Sequence, residues 1–125
     1  LTLAGLTAIC WLVAFAGTHM PPGGASRFDI NDKVIHFGMF LVLGFLLTLT
    51  FASFGMIRKR RLILVVALLA GYAIIDETTQ PLVGRGAELL DFVADMAGLA
   101  VAAVLAELTI ALLARRSRRG YPSQP

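Results

Sequence analysis

Charge is what this sequence has least of. Charged residues fill 15% of the 125 positions and hydrophobic ones 58%, whereas soluble domains are about a quarter charged and about half apolar. That balance, with a mean hydropathy of +0.80, excludes an ordinary soluble domain and places the chain among membrane proteins. Cysteine is almost absent. The single Cys10 rules out an intrachain disulfide and says nothing of redox compartment; within an apolar run it reads as a small buried hydrophobe. There is no nucleophilic-serine motif, no histidine pair at zinc spacing and no phosphate-cradling glycine loop, Gly84-Arg85-Gly86 being too short for one. Repeats and low-complexity tracts are lacking too, and soluble cofactors are not implied. The net charge of +3 does not signal nucleic acid. The basic residues cluster at Arg58–Arg61 and Arg115–Arg119, each beside an apolar run, where membrane topology accounts for them.

What is present is four apolar stretches, which predict an all-α integral membrane protein: one domain, a four-transmembrane-helix bundle with spans at about 1–19, 32–57, 62–80 and 88–114. The first opens on Leu1 without a methionine or basic flank, as in an N-terminally truncated chain; Ala14-Phe15-Ala16 allows the competing reading of a signal peptide. His19–Asn31, rich in proline and glycine, reads as a loop, with His19 solvated in it. Span two starts at Asn31 or Asp32, either of which can cap a helix. Arg58–Arg61 is expected to turn the chain into span three, and Pro81 to stop that span. In span four Ala94, Gly98, Ala102 and Ala106 form a stripe of small residues of the kind that lets membrane helices approach closely. The tail from Gly120 reads as disordered.

Five of the eight acidic residues lie between Asp76 and Asp95. Ionisable groups near a bilayer core are costly, about 2.5–3.5 kcal/mol each on insertion scales, so they are expected to face inward and to mark a site. Helical spacing puts Asp32 with His36, Asp76 with Gln80, and Glu88 with Asp91 and Asp95 on common faces. Eight of the eleven Lys and Arg residues fall in the loop between spans two and three and in the tail, which predicts both termini in the cytoplasm. Asp32, Lys33, His36, Asp76, Glu77, Gln80, Arg85, Glu88, Asp91 and Asp95 then share the outer end. Arg85, alone among the basic residues between spans three and four, is expected to neutralise the acids of those two spans. Glu107 lies apart. Arg115 is about 12 Å along its helix, too far for pairing, so its partner is expected on another helix or another subunit.

Asp32-Lys33-x-x-His36-Phe37, Asp76-Glu77-x-x-Gln80, Gly84-Arg85 and Asp91-x-x-x-Asp95 ahead of Gly98 resemble, in order and spacing, the VanZ-like family of bacterial membrane proteins, over residues ~31–105. One departure is Asp95 where relatives often carry Asn three positions before the glycine; it leaves the polar character intact. The resemblance implies a multi-pass protein of the bacterial cytoplasmic (inner) membrane. It also implies a link with antibiotic resistance, since the founding member is associated with low-level resistance to the glycopeptide teicoplanin.

The residues themselves leave several functions open. Carboxylates with a histidine suit a divalent cation such as Mg²⁺ or Mn²⁺ on Asp76, Glu77, Asp91 and Asp95, and hence metal-dependent chemistry on a phosphorylated lipid. His36, Asp76 and Asp91 are the candidate catalytic groups; Asp32, Lys33, Glu77, Gln80, Arg85 and Asp95 are the candidate binding groups. The partner expected is a membrane lipid, a cell-envelope precursor or a glycopeptide-type ligand, with an oligomer open. A small proton-linked transporter, with His36 as acid–base partner of Asp76 and Asp91, and a purely structural polar network are the alternatives.

Overall fold

The computed structural model describes residues 2–20, 32–86 and 88–119. The predicted loop beyond Met20 and the tail from Gly120 lie outside them. Four helices follow in chain order: α1 (Leu3–Thr18), α2 (Asp32–Ser53), α3 (Arg58–Thr79) and α4 (Leu89–Arg119). No strand occurs among the described residues. The segments Asp32–Ser53, Arg58–Val83 and Leu89–Ser117 are long and apolar enough to cross a membrane, whereas α1, with 16 residues, falls short of that length. Large apolar side chains such as Leu12, Ile63, Val104 and Leu108 point outward, more than half exposed, as helices in lipid require.

Several boundaries differ from the sequence reading. Span two ends at Ser53, and Arg58–Arg61 is not a turn but the first turn of α3. Basic side chains at a helix N-terminus oppose the helix dipole; a partly buried acid described below offsets this. Pro81 does not end the segment at once. It sits at the start of a 3-10 turn, Gln80–Val83, where its missing N–H costs nothing, and Gly84 closes that turn at φ +79°, which glycine adopts without strain.

The packing that positions everything else is α2 against α4, the most extensive helix pair in the molecule. The small-residue stripe makes it possible: Gly98, Ala102 and Ala106 are buried. A Cβ added at Gly98 would run into the carbonyl oxygen of Phe37, one residue from His36. Close contact of the two backbones therefore depends on glycine here. Above the stripe on the same face of α4 come Asp95 and Asp91, both buried. On α2 the buried line is His36, Phe40, Leu43, Leu47 and on α3 Val65, Leu69, Tyr72, Asp76. Each helix thus presents an apolar stripe that turns polar at the same end.

Candidate functional site

The polar end is floored by rings. Tyr72 meets Trp11 edge-on at 5.3 Å and stacks on Phe40 at 5.7 Å. One helical turn further along α2 and α3 stand His36 and Asp76. His36 is fully buried; its Nδ1 donates to Asp95 Oδ1 at 3.0 Å and lies 3.9 Å from Glu77 Oε1. Glu77 is tied at its other oxygen, Oε2 accepting from the backbone N–H of Glu88 at 2.9 Å, which anchors the start of α4 to the end of α3. Asp91 lies 1% exposed and 3.2 Å from the Lys33 ammonium, which reaches Glu88 at 2.7 Å.

Asp76 belongs to a neighbouring group. Its Oδ1 accepts from the Thr18 hydroxyl at 2.6 Å and its Oδ2 from the Gln80 amide at 2.9 Å. His19 lies with Nδ1 3.7 Å from the same carboxylate and Nε2 2.8 Å from Thr79 Oγ1. The end of α1 is docked on α3 through a carboxylate whose two oxygens are both occupied. Among the residues expected in one cation site, Glu77, Asp91 and Asp95 cluster about His36, while Asp76 faces α1.

Two expectations are corrected. Arg85 does not reach the acids of α3 and α4. It pairs with Asp32 of α2, both carboxylate oxygens accepting from Nη2 at 2.7 and 2.9 Å, because the 3-10 turn carries the chain across the bundle end toward α2. Lys33 takes the role expected of it on α4. His19, expected to be solvated, is only 14% exposed in its side chain and joins the Asp76 group. Thr18 and His19 were missed because a threonine closing an apolar run and a histidine before two prolines give no signal of facing an acid far along the chain. Glu107 finds the other-helix partner expected for it: Arg61 Nε and Nη2 donate to Oε1 at 2.9 and 2.5 Å, and Arg58 lies 3.3 Å from Oε2.

The decisive feature of the polar end is incomplete pairing. His36 Nε2, Glu77 Oε1, Asp91 Oδ2 and Asp95 Oδ2 are buried without a hydrogen-bond partner among the described residues, as are Gln80 Oε1 and the Tyr72 hydroxyl. A buried polar group left unpaired costs about 1–3 kcal/mol, more when charged, so such a concentration calls for partners beyond the protein's own side chains, whether water, an ion or a ligand. Beside it, between α3 and α4, runs a groove of about 210 Å³ lined by Ile74, Glu77, Thr78, Glu88, Leu89 and Phe92. Glu77 thus faces both the buried cluster and the apolar outer surface.

No curated protein and no solved structure matches the chain significantly. The family model described as VanZ/LLP1 matches residues 5–111, a span that includes α2 and α3 whole, most of α1 and α4, and every polar group just described. This chain is accordingly a member of the VanZ/LLP1 family.

Proposed function

We propose that this protein binds the headgroup of a cell-envelope lipid at the polar end of its bundle, the acyl tail lying in the groove between α3 and α4. One observation carries the reading: the buried, unpartnered atoms of Glu77, Asp91 and Asp95 beside a groove that opens to the apolar surface. These are carboxylate oxygens, acceptors without donors. The headgroup that complements them brings O–H or N–H donors, as a sugar or an ammonium does; a bare phosphate would be repelled by Glu77 and Glu88. A glycopeptide-type ligand with an apolar appendage would offer the same donors. The apolar walls from Ile74, Leu89 and Phe92 suit a hydrocarbon chain. The excess of basic residues at the opposite end supports an orientation with this end outward, on the side of a bacterial inner membrane where such lipids are displayed.

The test reconstitutes the full chain in nanodiscs of phosphatidylcholine with added glycolipid, aminolipid or phosphatidic acid. Melting temperature is measured in each. Glycolipid or aminolipid is expected to raise it and phosphatidic acid to leave it unchanged. Asp91→Asn and Thr78→Trp, the second obstructing the groove from its lining, are expected to abolish the rise. Equal responses to all three lipids would sink the proposal.

A further inference from the structure

We infer that His36, Glu77 and Asp95 form a binding site for a first-row divalent transition ion, Mn²⁺ to Zn²⁺, rather than for Mg²⁺ or Ca²⁺. This goes beyond the headgroup reading and draws on two of the same carboxylates, Glu77 and Asp95, leaving Asp91 and the groove for the headgroup. One ligand atom from each of the three lies within 4.8 Å of the other two. The two distances from His36 Nδ1, 3.0 Å to Asp95 and 3.9 Å to Glu77, bracket the ~3.4 Å that separates donors held about 2.1 Å from a tetrahedral ion. The side chains of His36 and Asp95 are fully buried and that of Glu77 is 11% exposed.

The unpartnered atoms supply the second argument. Glu77 Oε1, which faces His36 Nδ1, is buried without a hydrogen-bond partner, and so is Asp95 Oδ2, the second oxygen of the carboxylate that His36 holds. The two carboxylates stand next to one neutralising group at most, the imidazole. An ion cancels their repulsion and satisfies the acceptors in one step, with release of the proton that now joins His36 to Asp95.

A competing triad, Asp32, His36 and Asp91, also meets the spacing, but its Asp32 side chain is 42% exposed and ion-paired, and one oxygen of its Asp91 faces a lysine. Both oxygens of Asp32 accept from Arg85, and Asp91 faces Lys33. The same reasoning removes Asp76, whose oxygens are held by Thr18 and Gln80.

The donor set decides the ion. Mg²⁺ and Ca²⁺ take oxygen ligands and gain little from an imidazole, whereas one nitrogen with two carboxylates suits manganese, iron, cobalt or zinc. Three protein ligands also leave a coordination position open, and one of the three, Glu77, lines the groove. A headgroup hydroxyl arriving there would meet the ion.

The experiment uses the purified full chain in detergent, stripped with chelator and titrated with the metal alone. One equivalent of Co²⁺ is expected to bind with a visible absorption band, and Mg²⁺ in about 100-fold excess is expected not to displace it. With Mn²⁺ in the wild-type protein, pulsed paramagnetic resonance should show coupling to an imidazole nitrogen, a readout that needs no variant to fold. Asp95→Asn and His36→Gln should each weaken Co²⁺ binding at least about 10-fold. Absence of stoichiometric binding, free exchange with Mg²⁺, or a Mn²⁺ signal lacking nitrogen coupling would each overturn the assignment. Intact Co²⁺ binding with no lipid selectivity would overturn the headgroup proposal alone.

Discussion

The two ends of this bundle both bury charge, and they do so in opposite ways. At one end Glu107 is met by two arginines. Arg61 supplies two hydrogen bonds at 2.9 and 2.5 Å and spends its Nη1 on the Met56 carbonyl at 2.9 Å; Arg58 covers the other oxygen. At the other end the basic residues available to the described acids, Lys33 and Arg85, are held at the rim by Asp32, Glu88 and Asp91. Glu77 and Asp95 keep unpartnered oxygens in the interior. The closed cluster ties α3 to α4 with both oxygens of its acid engaged. The open one fixes the helix ends through fewer bonds and retains that capacity. A count of charges alone would not separate these roles; a count of satisfied atoms does.

The most damaging way to break the comparison is to force apart the helix pair on which the open end is built. Gly98→Val places a side chain against the Phe37 carbonyl, and overpacking a tight site costs about 1–3 kcal/mol even where side chains can yield; a backbone obstacle should exceed that range. Gly71→Val, where a Cβ meets nothing within 4 Å, is the matched control. Melting in detergent should drop steeply for the first and little for the second. Equal losses would show that the close α2–α4 approach is not what holds the site.

Next in size is the closed end. Arg61→Ala should destabilise by up to about 3 kcal/mol, because Glu107, only partly buried with a side chain 15% exposed, is left with the exposed Arg58 alone. Adding Glu107→Ala should recover a large part of that loss, the coupling being read from a double-mutant cycle. Additive losses would mean the pair is not a pair.

The smallest effects on stability belong to the open end, and their sign sharpens the contrast. Arg85→Ala should cost at most about 1 kcal/mol, since its partner Asp32 has a side chain 42% exposed. Asp91→Asn should leave melting unchanged or raise it, by removing an acid with an unpartnered oxygen. A large loss for Asp91→Asn, comparable to Arg61→Ala, would make both ends structural.

The helical class, the count of helices and the clustering of acids at one end could be read from the sequence, because apolar length and i, i+4 spacing act within single segments. His36 facing Asp95 was within reach for the same reason: each lies on the polar continuation of a buried stripe. Partner choice was not. Arg85 was assigned to the nearest acids in sequence, but the 3-10 turn through Pro81 swings it toward α2. Glu107 was measured against Arg115 on its own helix, while its true partner sits in a tetrad of basic residues expected to be a turn. Thr18 and His19 belong to the Asp76 group only because α1 ends level with it, a fact of packing between segments.

Arg61 and Glu107 also bear on how the chain enters the bilayer. Between Asp95 and Arg115 the fourth helix carries Glu107 as its one charge, and an acidic residue presented singly to lipid makes insertion less favourable by up to about 3 kcal/mol at the core. Arg61 precedes it in synthesis by 46 residues. Helix α3 waiting beside the translocation channel would offer α4 its counter-ion on arrival. The two would then partition into lipid as a hairpin, with the arginine acting during biogenesis as the guide for the helix that follows.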